Sequence, residues 1–394
     1  MNHSMRIYRY NKFLMTLDRM NSMMDKNIQK VGEDFSIFAK IKEHNSPERM
    51  NPNEYVHMQK QVNKPIILKN VHIEVDIHTI DDLLKLIDTY PVFPSIQYNI
   101  DMATLHRIKE PLTELNAMIG MKELKCDIVD QILYFIQNLH KNGDSSGDYL
   151  HTVIYGPPGT GKTEIAKIMG KLYSKLGILS KGTFKKVVRS DLIAGYLGQT
   201  ALKTKEVINE SVGGVLFIDE AYSLGNSEKR DSFSKECIDT LCEALSDKKD
   251  NLMVIVAGYE KELKECFFNY NPGMESRFNW RFQTDEYTHD DLYNIFLKKV
   301  ADIGWSVDTS NIHAQWFKKH KDAFPYYGRD IETMISKIKI AHSRRVFCRE
   351  TEEKRRITVE DLEKGFQLYG KNSDSKSKKE EEALKKYLYN TMYC

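Results

Sequence analysis

The chain has 394 residues, enough for two or three domains and a large buried core. Its 58 basic and 56 acidic side chains nearly cancel, to a formal net charge of +2, which argues against a surface that grips nucleic acid throughout. Hydrophobic residues make up 41% and charged residues 29% of the chain, and no apolar run approaches the ~20 residues that span a bilayer. The composition therefore indicates a globular protein and excludes a disordered or membrane-embedded one.

Two features of the sequence bear on the compartment. The N-terminal stretch MNHSMRIYRYNKFLMTLDRM mixes Arg, Lys and Asn with its apolar residues, so it lacks the continuous apolar segment of a signal peptide. The six cysteines form no CxxC pair, which is typical of free thiols. We therefore expect the protein to be cytoplasmic or in another reducing compartment of the cell, and not secreted.

An N-terminal variable region is expected over residues 1–111. Up to about residue 64 it is polar and rich in Met, Asn and Lys, so much of this arm is expected to be flexible. From Ile66 the run IILKNVHIEVDI predicts a strand, and Thr79 followed by Asp82 predicts a helix start before an apolar stripe. We expect a small strand and helix unit near 66–90, and then a helical connector that leads to the end of the region.

Residues 112–285 alternate β-type and helical segments, which is the pattern of a parallel α/β sheet. The helix after the first predicted strand carries apolar residues at helical spacing from Ile165 to Leu176. Five short apolar runs predict strands, at Thr152 to Tyr155, Phe184 to Val188, Val215 to Ile218, Leu252 to Ala257 and Trp280 to Gln283.

The pattern becomes helical over residues 286–370 and charged over residues 371–394. Thr288 with Asp291 has the spacing of a capping box, and Arg329 opens a further helical stretch. We expect the first of these segments to be purely helical, a lid on the α/β domain. The second is expected to be a solvated linker with a short charged helix.

The most specific motif is GPPGTGKT at residues 156–163, a complete G-x-x-x-x-G-K-T phosphate loop between a predicted strand and a predicted helix. Its glycines allow backbone N–H groups to turn toward phosphate oxygens, and Lys162 can reach the β- and γ-phosphates. Thr163 opens the helix, where its hydroxyl can bind Mg²⁺. The predicted ATP-binding residues of the loop are Pro157, Pro158, Gly159, Thr160, Gly161, Lys162 and Thr163.

A second motif consists of the apolar run VLFI followed by Asp219 and Glu220. Ligands bind at the carboxyl ends of the strands in open α/β sheets, so both carboxylates are expected at the site. Asp219 is predicted to hold Mg²⁺ together with Thr163, and Glu220 to polarise the attacking water. Nucleotide kinases and small GTPases do not use a catalytic glutamate at this position, so the pair favours an ATPase.

Six segments in this order resemble the CbxX/CfxQ-type AAA+ ATPases, the family that includes the red-type Rubisco activases. They are GPPGTGKT, SDLIAGYLGQTALKTKEVINESVGGVLFIDEAYSL, IDTLCEAL, VIVAGY, NPGMESRF and GRD. The resemblance covers about residues 112–370, whereas residues 1 to about 105 and the tail show no counterpart. It implies an α/β fold of the P-loop NTPase type, with the AAA+ parallel sheet, a helical lid domain and here a small N-terminal extension.

The resemblance also implies roles for residues outside the two motifs. Ile119 and Gly120 correspond to a turn that contacts adenine. Arg277 corresponds to the arginine finger, which neutralises charge on the γ-phosphate bound by the neighbouring subunit. Arg329 corresponds to sensor 2, which touches the γ-phosphate from the lid. The predicted catalytic residues are therefore Glu220, Arg277 and Arg329.

Two positions stay open in this comparison. Arg281 competes with Arg277 for the finger role, although it lies inside the last predicted strand. The fourth predicted strand ends in Val256-Ala257-Gly258-Tyr259, without the usual Asn or Thr of sensor 1. Either Tyr259 serves as sensor 1 or the role is vacant.

Tyr196 and Leu197 lie between Gly195 and Gly198, in the connection between the second and third predicted strands. The resemblance places pore loop 1 of an AAA+ ring here, where an aromatic side chain can grip an extended polypeptide by apolar contact. A core position for Tyr196 is the alternative, but an apolar pair between two glycines favours an exposed loop.

Together the motifs predict an ATP- and Mg²⁺-dependent AAA+ motor or chaperone that remodels a protein partner through an oligomeric ring, expected to be a homohexamer.

A nucleic-acid motor of the branch-migration type is one alternative; the near-zero net charge argues against it, and we expect neither nucleic acid nor membrane as a partner. A scaffold that binds ATP and hydrolyses it slowly is the other, kept open by the unusual sensor 1 position. The protein client is unknown, and residues 1 to about 105 are expected to select it.

Overall fold

The computed structural model describes residues 69–140, 148–196, 198–226, 231–350 and 353–370. They belong to one compact unit, Lys69–Cys394. The flexible arm and the charged tail predicted from the sequence lie outside the described residues, as does Leu197. Among the helices of the described part, none has the length and apolar character needed to span a bilayer.

A small parallel strand pair with two helices begins the unit. β1 and β2 pair through three residues, from Lys69 opposite Ile96 onward. The predicted capping box is confirmed, because Thr79 Oγ1 accepts from the N–H of Asp82 and the Asp82 carboxylate accepts from the N–H of Thr79. In chain order these elements are β1 (Lys69–Val71), α1 (Ile80–Thr89), β2 (Ile96–Tyr98) and α2 (Met102–Asn116).

The strand predicted from the run IILKNVHIEVDI is much shorter than expected, since it ends at Val71. Beyond it, Ile73 N–H donates to Asn99 Oδ1 at 2.8 Å, and Asn99 Nδ2 donates to Ile73 O at 3.0 Å. One amide side chain thus satisfies both main-chain groups that a longer ladder would use. Residues 66–68 of the predicted strand lie outside the described part.

Helix α2 continues through Pro111 and ends at Asn116. Proline in a helix interior costs about 3 kcal/mol, because it removes one hydrogen bond and crowds the preceding turn. The helix persists because Leu105, Ile108 and Leu112 are almost completely buried in the main hydrophobic core. The boundary that the sequence suggested after residue 111 therefore falls inside a helix that packs on the α/β part.

The predicted parallel sheet is confirmed, with five strands in the order β4-β5-β6-β3-β7. Helices connect the strands and cover both faces of the sheet. Its elements are α3 (Lys122–Ile136), β3 (Thr152–Tyr155), α4 (Lys162–Lys175), β4 (Phe184–Val187), α5 (Arg189–Leu192), α6 (Thr200–Ser211), β5 (Val215–Ile218), α7 (Ser232–Asp247), β6 (Met253–Gly258), α8 (Glu260–Cys266), α9 (Pro272–Glu275) and β7 (Trp280–Gln283).

The buried central strands divide their side chains between two cores. In β5, Val215 and Phe217 belong to the cluster that includes α2, α3 and α4, whereas Leu216 and Ile218 belong to the cluster that includes α6 and α7. This alternation follows from the two-residue period of a strand. Both faces of β5 contact apolar side chains, so its sequence is a continuous hydrophobic run. Polar residues follow only at its carboxyl end, at Asp219 and Glu220.

The lid segment is mostly helical, but the prediction that it is purely helical was wrong. Two short strands pair in parallel, Ser306 with Arg356 and Val307 with Ile357. The apolar side chain of Ile357 is fully buried, so the pair closes the lid core. The lid elements are α10 (His289–Asp302), β8 (Ser306–Val307), α11 (Ala314–Lys319), α12 (Gly328–Val346), β9 (Arg356–Ile357) and α13 (359–370).

A truncation series tests whether the first strands and helices belong to the ATPase core. A chain that starts at Lys69 is expected to fold, whereas one that starts at Arg107 loses α1 and the first third of α2. That loss removes several buried side chains worth about 1.5–3 kcal/mol each, comparable to the 5–15 kcal/mol stability of a typical domain. Thermal unfolding followed by circular dichroism should show a cooperative transition for the first chain only. A stable, ATP-hydrolysing chain starting at Arg107 would contradict this assignment.

Candidate active site

A cavity of about 710 Å³ opens at the carboxyl ends of β3, β5 and β6, between the sheet and the lid helices α10 and α12. This edge of a parallel sheet is where α/β proteins bind their ligands. The cavity brings together the phosphate loop, both predicted carboxylates and the start of α12. The predicted site residues in its lining are Ile119, Pro158, Gly159, Gly161, Lys162, Thr163, Asp219, Glu220 and Arg329.

The phosphate loop joins β3 to α4 and depends on glycine at two positions. Gly159 has a φ of 79° and Gly161 a φ of 86°, a region that residues with a side chain adopt only at a cost. A Cβ added to Gly159 would lie 1.9 Å from Tyr326 O, and the N–H of Gly328 donates to Gly159 O at 3.2 Å. The phosphate loop is therefore in direct contact with the first turn of the lid helix α12.

Lys162 lies inside the loop and faces the cavity. Its ammonium group donates to Gly156 O at 2.8 Å and to Pro157 O at 2.7 Å. Burial lowers the pKa of Lys162 to about 8; the Asp219 carboxylate opposes this shift and the Arg329 guanidinium adds to it. A phosphate group beside the ammonium would raise this pKa again, so the position favours an anionic ligand.

The two predicted carboxylates follow β5 directly. Asp219 is anchored by its N–H, which donates to Val187 O at 3.2 Å, and its Oδ2 accepts from Lys186 Nζ at 2.6 Å. Glu220 is exposed to the cavity and has φ 51° and ψ 47°, a left-handed conformation that costs about 1–3 kcal/mol for a residue with a side chain. The strained backbone turns the chain sharply after the strand and aims the glutamate at the cavity.

The residues present fit a bound Mg²⁺. The Thr163 hydroxyl and the Asp219 carboxylate line the same cavity, at the start of α4 and the end of β5. Both supply oxygen atoms, the ligands that Mg²⁺ prefers, and a site of this kind leaves further positions for phosphate oxygens and water.

Three predicted ATP-binding residues lie outside the cavity lining: Gly120, Pro157 and Thr160. Thr160 is fully buried; its hydroxyl donates to Pro157 O at 2.9 Å, and its carbonyl accepts from Tyr287 Oη at 3.0 Å. The side chain of Thr160 thus braces the loop from behind and does not face a ligand.

An apolar wall forms the opposite end of the cavity, where the chain turns between α2 and α3. Ile119, Met118 and Tyr287 contribute to it. Gly120 has a φ of 70°, and a Cβ there would lie 2.5 Å from Cε1 of Tyr287. Gly120 therefore allows the tyrosine ring to approach, which gives a flat apolar surface suited to a nucleotide base.

Arg329 lines the cavity at the first turn of α12. The turn before it is tight: Tyr327 has a φ of 46°, and the Asp330 carboxylate accepts from the N–H of Tyr326 at 2.6 Å. This turn aims the N-terminus of α12 at the phosphate loop. Both the guanidinium and the positive end of the helix dipole then favour an anion in the cavity.

Tyr259, the candidate for sensor 1, lines the cavity together with Tyr222. The two ring centres are 6.4 Å apart. Burial raises the pKa of both phenols, so each hydroxyl keeps its proton at neutral pH and can donate a hydrogen bond. Tyr259 thus offers a hydrogen-bond donor to the cavity, although not the Asn or Thr that is usual at sensor 1.

Arg277 lies outside the cavity of its own chain. Its Nε donates to Ser246 Oγ at 2.8 Å and its Nη1 donates to Gly273 O. The next residue, Phe278, is buried, and the centre of its ring lies 5.8 Å from that of His151. The burial of Phe278 fixes the backbone beside Arg277. Arg281, the competing candidate, also lies outside the cavity and pairs with Glu275 at 3.0 Å.

Tyr196 is 74% exposed, so the alternative of a core position is excluded. A Cβ added to Gly195 or Gly198 would meet no heavy atom within 4 Å, and Gly198 has a φ of 78°. Tyr196 therefore projects from an open, glycine-flanked segment between β4 and α6.

Sequence reasoning missed three residues of the site: Lys186, Tyr222 and Tyr287. Tyr222 follows the carboxylate pair closely enough for the motif to have suggested it. Lys186 and Tyr287 belong to other strands and loops. The pairing of β4 with β5 brings Lys186 to the Asp219 carboxylate, and the pairing of β3 with β7 brings Tyr287 to the cavity. Local sequence carries no signal for such contacts.

Comparison with known proteins agrees with the motifs. The family model "ATPase family associated with various cellular activities (AAA)" matches residues 152–283. The chain is 40% identical over 282 residues to the cfxQ-like protein R730 of Acanthamoeba polyphaga mimivirus. The aligned region covers 71% of this chain and 69% of that protein.

Two bacterial relatives extend the comparison. Stage V sporulation protein K of Bacillus subtilis is 36% identical over 250 residues, 63% of this chain and 74% of its own. Protein CbxX of Cupriavidus necator is 34% identical over 247 residues, 61% of this chain and 77% of its own. With the parallel sheet, the phosphate loop and the carboxylate pair at one cavity, these similarities show that the chain belongs to the CbxX/CfxQ-type family of AAA+ ATPases, enzymes that hydrolyse ATP.

Proposed function

We propose that this chain works as an oligomeric ring, a homohexamer, that uses ATP hydrolysis to remodel a protein client held by Tyr196. The observation that carries the proposal is the 74% exposure of Tyr196, in a segment whose earlier residues, Val188 to Ser190 and Ile193, line a smaller cavity together with Asp219 and Glu220. AAA proteins generally assemble into rings, and an exposed aromatic side chain at the pore can contact any passing polypeptide.

The proposed chemistry divides between the two motifs. Lys162 and the loop N–H groups bind the β- and γ-phosphates, and Thr163 and Asp219 hold Mg²⁺, which neutralises charge on the phosphates. Glu220 accepts a proton from the water that attacks the γ-phosphate. The apolar wall at Ile119 holds the base.

Two arginines complete the proposed site. Arg329 touches the γ-phosphate from the lid, residues 286–370, so that loss of this phosphate releases the lid from the domain of residues 112–285. Arg277 serves the neighbouring subunit's nucleotide. Its position outside its own cavity supports a role in trans, because a finger that acts on a neighbour must lie on the subunit surface.

Contacts between the loop of Tyr196 and the active site support the coupling of hydrolysis to work. Arg189, which opens the segment before Tyr196, donates to Ser223 O at 2.7 Å and to Leu224 O at 2.9 Å, just after Glu220. Beyond the loop, the N–H of Ala201 donates to Glu236 Oε1 at 3.1 Å. A movement of the chain after β5 can therefore reach the start of the loop, and a movement of α7 can reach its end.

Substitutions in the two motifs should separate ATP binding from hydrolysis. Lys162→Ala is expected to abolish tight ATP binding, because the phosphates lose the ammonium group of the loop. Glu220→Gln should bind ATP but hydrolyse it about 10²–10⁴-fold more slowly, the usual contribution of a general base. Binding of a fluorescent ATP analogue and phosphate release measure the two effects. Lys167→Ala, at an exposed lysine of α4 paired with Glu164, is the matched control and should change neither. Equal turnover by wild type and Glu220→Gln would remove Glu220 from the mechanism.

Subunit mixing tests the role of Arg277. Arg277→Ala should bind ATP and lose hydrolysis by about 10³–10⁵-fold, the usual effect of an arginine finger. Mixed with Lys162→Ala protein under conditions of subunit exchange, it should regain turnover where an intact finger meets an intact phosphate loop. Arg281→Ala is the control and should hydrolyse ATP at the wild-type rate. Failure to regain turnover, or a monomer in the presence of ATP, would refute action in trans.

Tyr196→Ala should uncouple hydrolysis from remodelling. Basal turnover should stay within a few-fold of wild type, about 1 kcal/mol in barrier at most, because the side chain is remote from phosphate. Stimulation of turnover by an unfolded model polypeptide should disappear, whereas Tyr196→Phe should retain it. Phe347→Ala, at an aromatic residue of the lid that is 84% exposed, controls for general loss of apolar surface. Stimulation by single-stranded DNA and not by polypeptide would support the nucleic-acid alternative instead.

A further inference from the structure

Lys186 forms an ion pair with the predicted metal ligand Asp219. Its ammonium nitrogen lies 2.6 Å from Asp219 Oδ2. Lys186 stands opposite Phe217 in the β4–β5 ladder, two residues before Asp219, and its Nζ lies 6.0 Å from the centre of the Phe217 ring. The strand register therefore directs the lysine along β5 toward the carboxylate.

The next lysine of the same strand makes a different contact. Lys185 points to the other face of the sheet, since successive side chains of a strand alternate, and pairs with Glu210 on α6. The two lysines thus share strand, charge and length, but only Lys186 touches the cavity carboxylate. This makes Lys185 a close comparison for the effect of Lys186.

The pair of Lys186 and Asp219 is open to exchange. The two side chains are 45% and 25% exposed, and ion pairs at this exposure contribute about 0.2–1 kcal/mol. A divalent cation that binds the carboxylate directly interacts with it more strongly than a single ammonium charge. Mg²⁺ can therefore displace the lysine, but must first overcome its attraction to the carboxylate.

We propose that Lys186 is a positioning residue that serves as the internal counter-cation of Asp219, and that Mg²⁺ entering with ATP takes its place. The lysine holds the carboxylate at the end of β5 and sets the Mg²⁺ concentration that the site requires. This inference rests on the proposed role of Asp219 as a metal ligand. It predicts that the lysine opposes metal binding, whereas a lysine that binds phosphate would promote nucleotide binding.

A magnesium titration of the full chain tests the inference. The protein is saturated with a fluorescent, non-hydrolysable ATP analogue, and the Mg²⁺ concentration that gives half of the fluorescence change is measured. Lys186→Met, which keeps most of the side-chain length without charge, should lower this concentration about two- to fivefold, as expected for loss of an exposed ion pair. Lys186→Arg should restore the wild-type value, and Lys185→Met should leave it unchanged.

Further variants distinguish failure of this inference from failure of the proposed metal site. If Asp219→Asn retains the wild-type magnesium response, Asp219 is not the metal ligand and the proposed function loses its metal site. If Asp219→Asn loses the response while Lys186→Met leaves the half-saturating concentration unchanged or raises it, only the role of Lys186 is overturned. Weaker binding of the analogue to Lys186→Met in EDTA, with no lower magnesium requirement, would assign the lysine to phosphate. Thermal unfolding of each variant verifies that it is folded.

Discussion

The contact between the phosphate loop and the first turn of the lid is the constraint on which the rest of the site depends. Gly159 O accepts from the N–H of Gly328, and no side chain fits at Gly159 because Tyr326 O would lie 1.9 Å from its Cβ. The phosphate loop and the first turn of the helix that carries Arg329 are therefore in direct backbone contact. Under the proposed function, this contact gives a change in the phosphates a short route to the lid through backbone atoms.

Helix α7 links the other functional parts of the molecule. Its N-terminal cap pairs with the residue that opens the segment of Tyr196, its second turn contacts the start of α6, and its C-terminal turn contacts the predicted finger. Most of the face between these contacts is buried, so the helix is fixed as a rigid body. The three contacts are Arg189 with Asp231, Ala201 with Glu236, and Arg277 with Ser246.

Much of the fold follows from the sequence because its signals are local. The phosphate loop, the VLFI run with its two acids and the capping box at Thr288 each combine residues within a few positions of one another. Their chemistry requires those residue types at that spacing, so their positions in the structure agree with the predictions. The parallel sheet was predictable for the same reason, since its buried strands are short apolar runs between amphipathic helices.

Only the tertiary structure decided the features that depend on residues far apart in the chain. The predicted strand stops at Val71, because the side chain of Asn99 takes the main-chain hydrogen bonds of Ile73. Packing keeps α2 helical through Pro111, although local rules predict a break there. Lys186 reaches Asp219 because two strands distant in sequence pair in one register. A local pattern records the propensity of a segment, whereas burial, strand register and ion pairing depend on which segments fold against it.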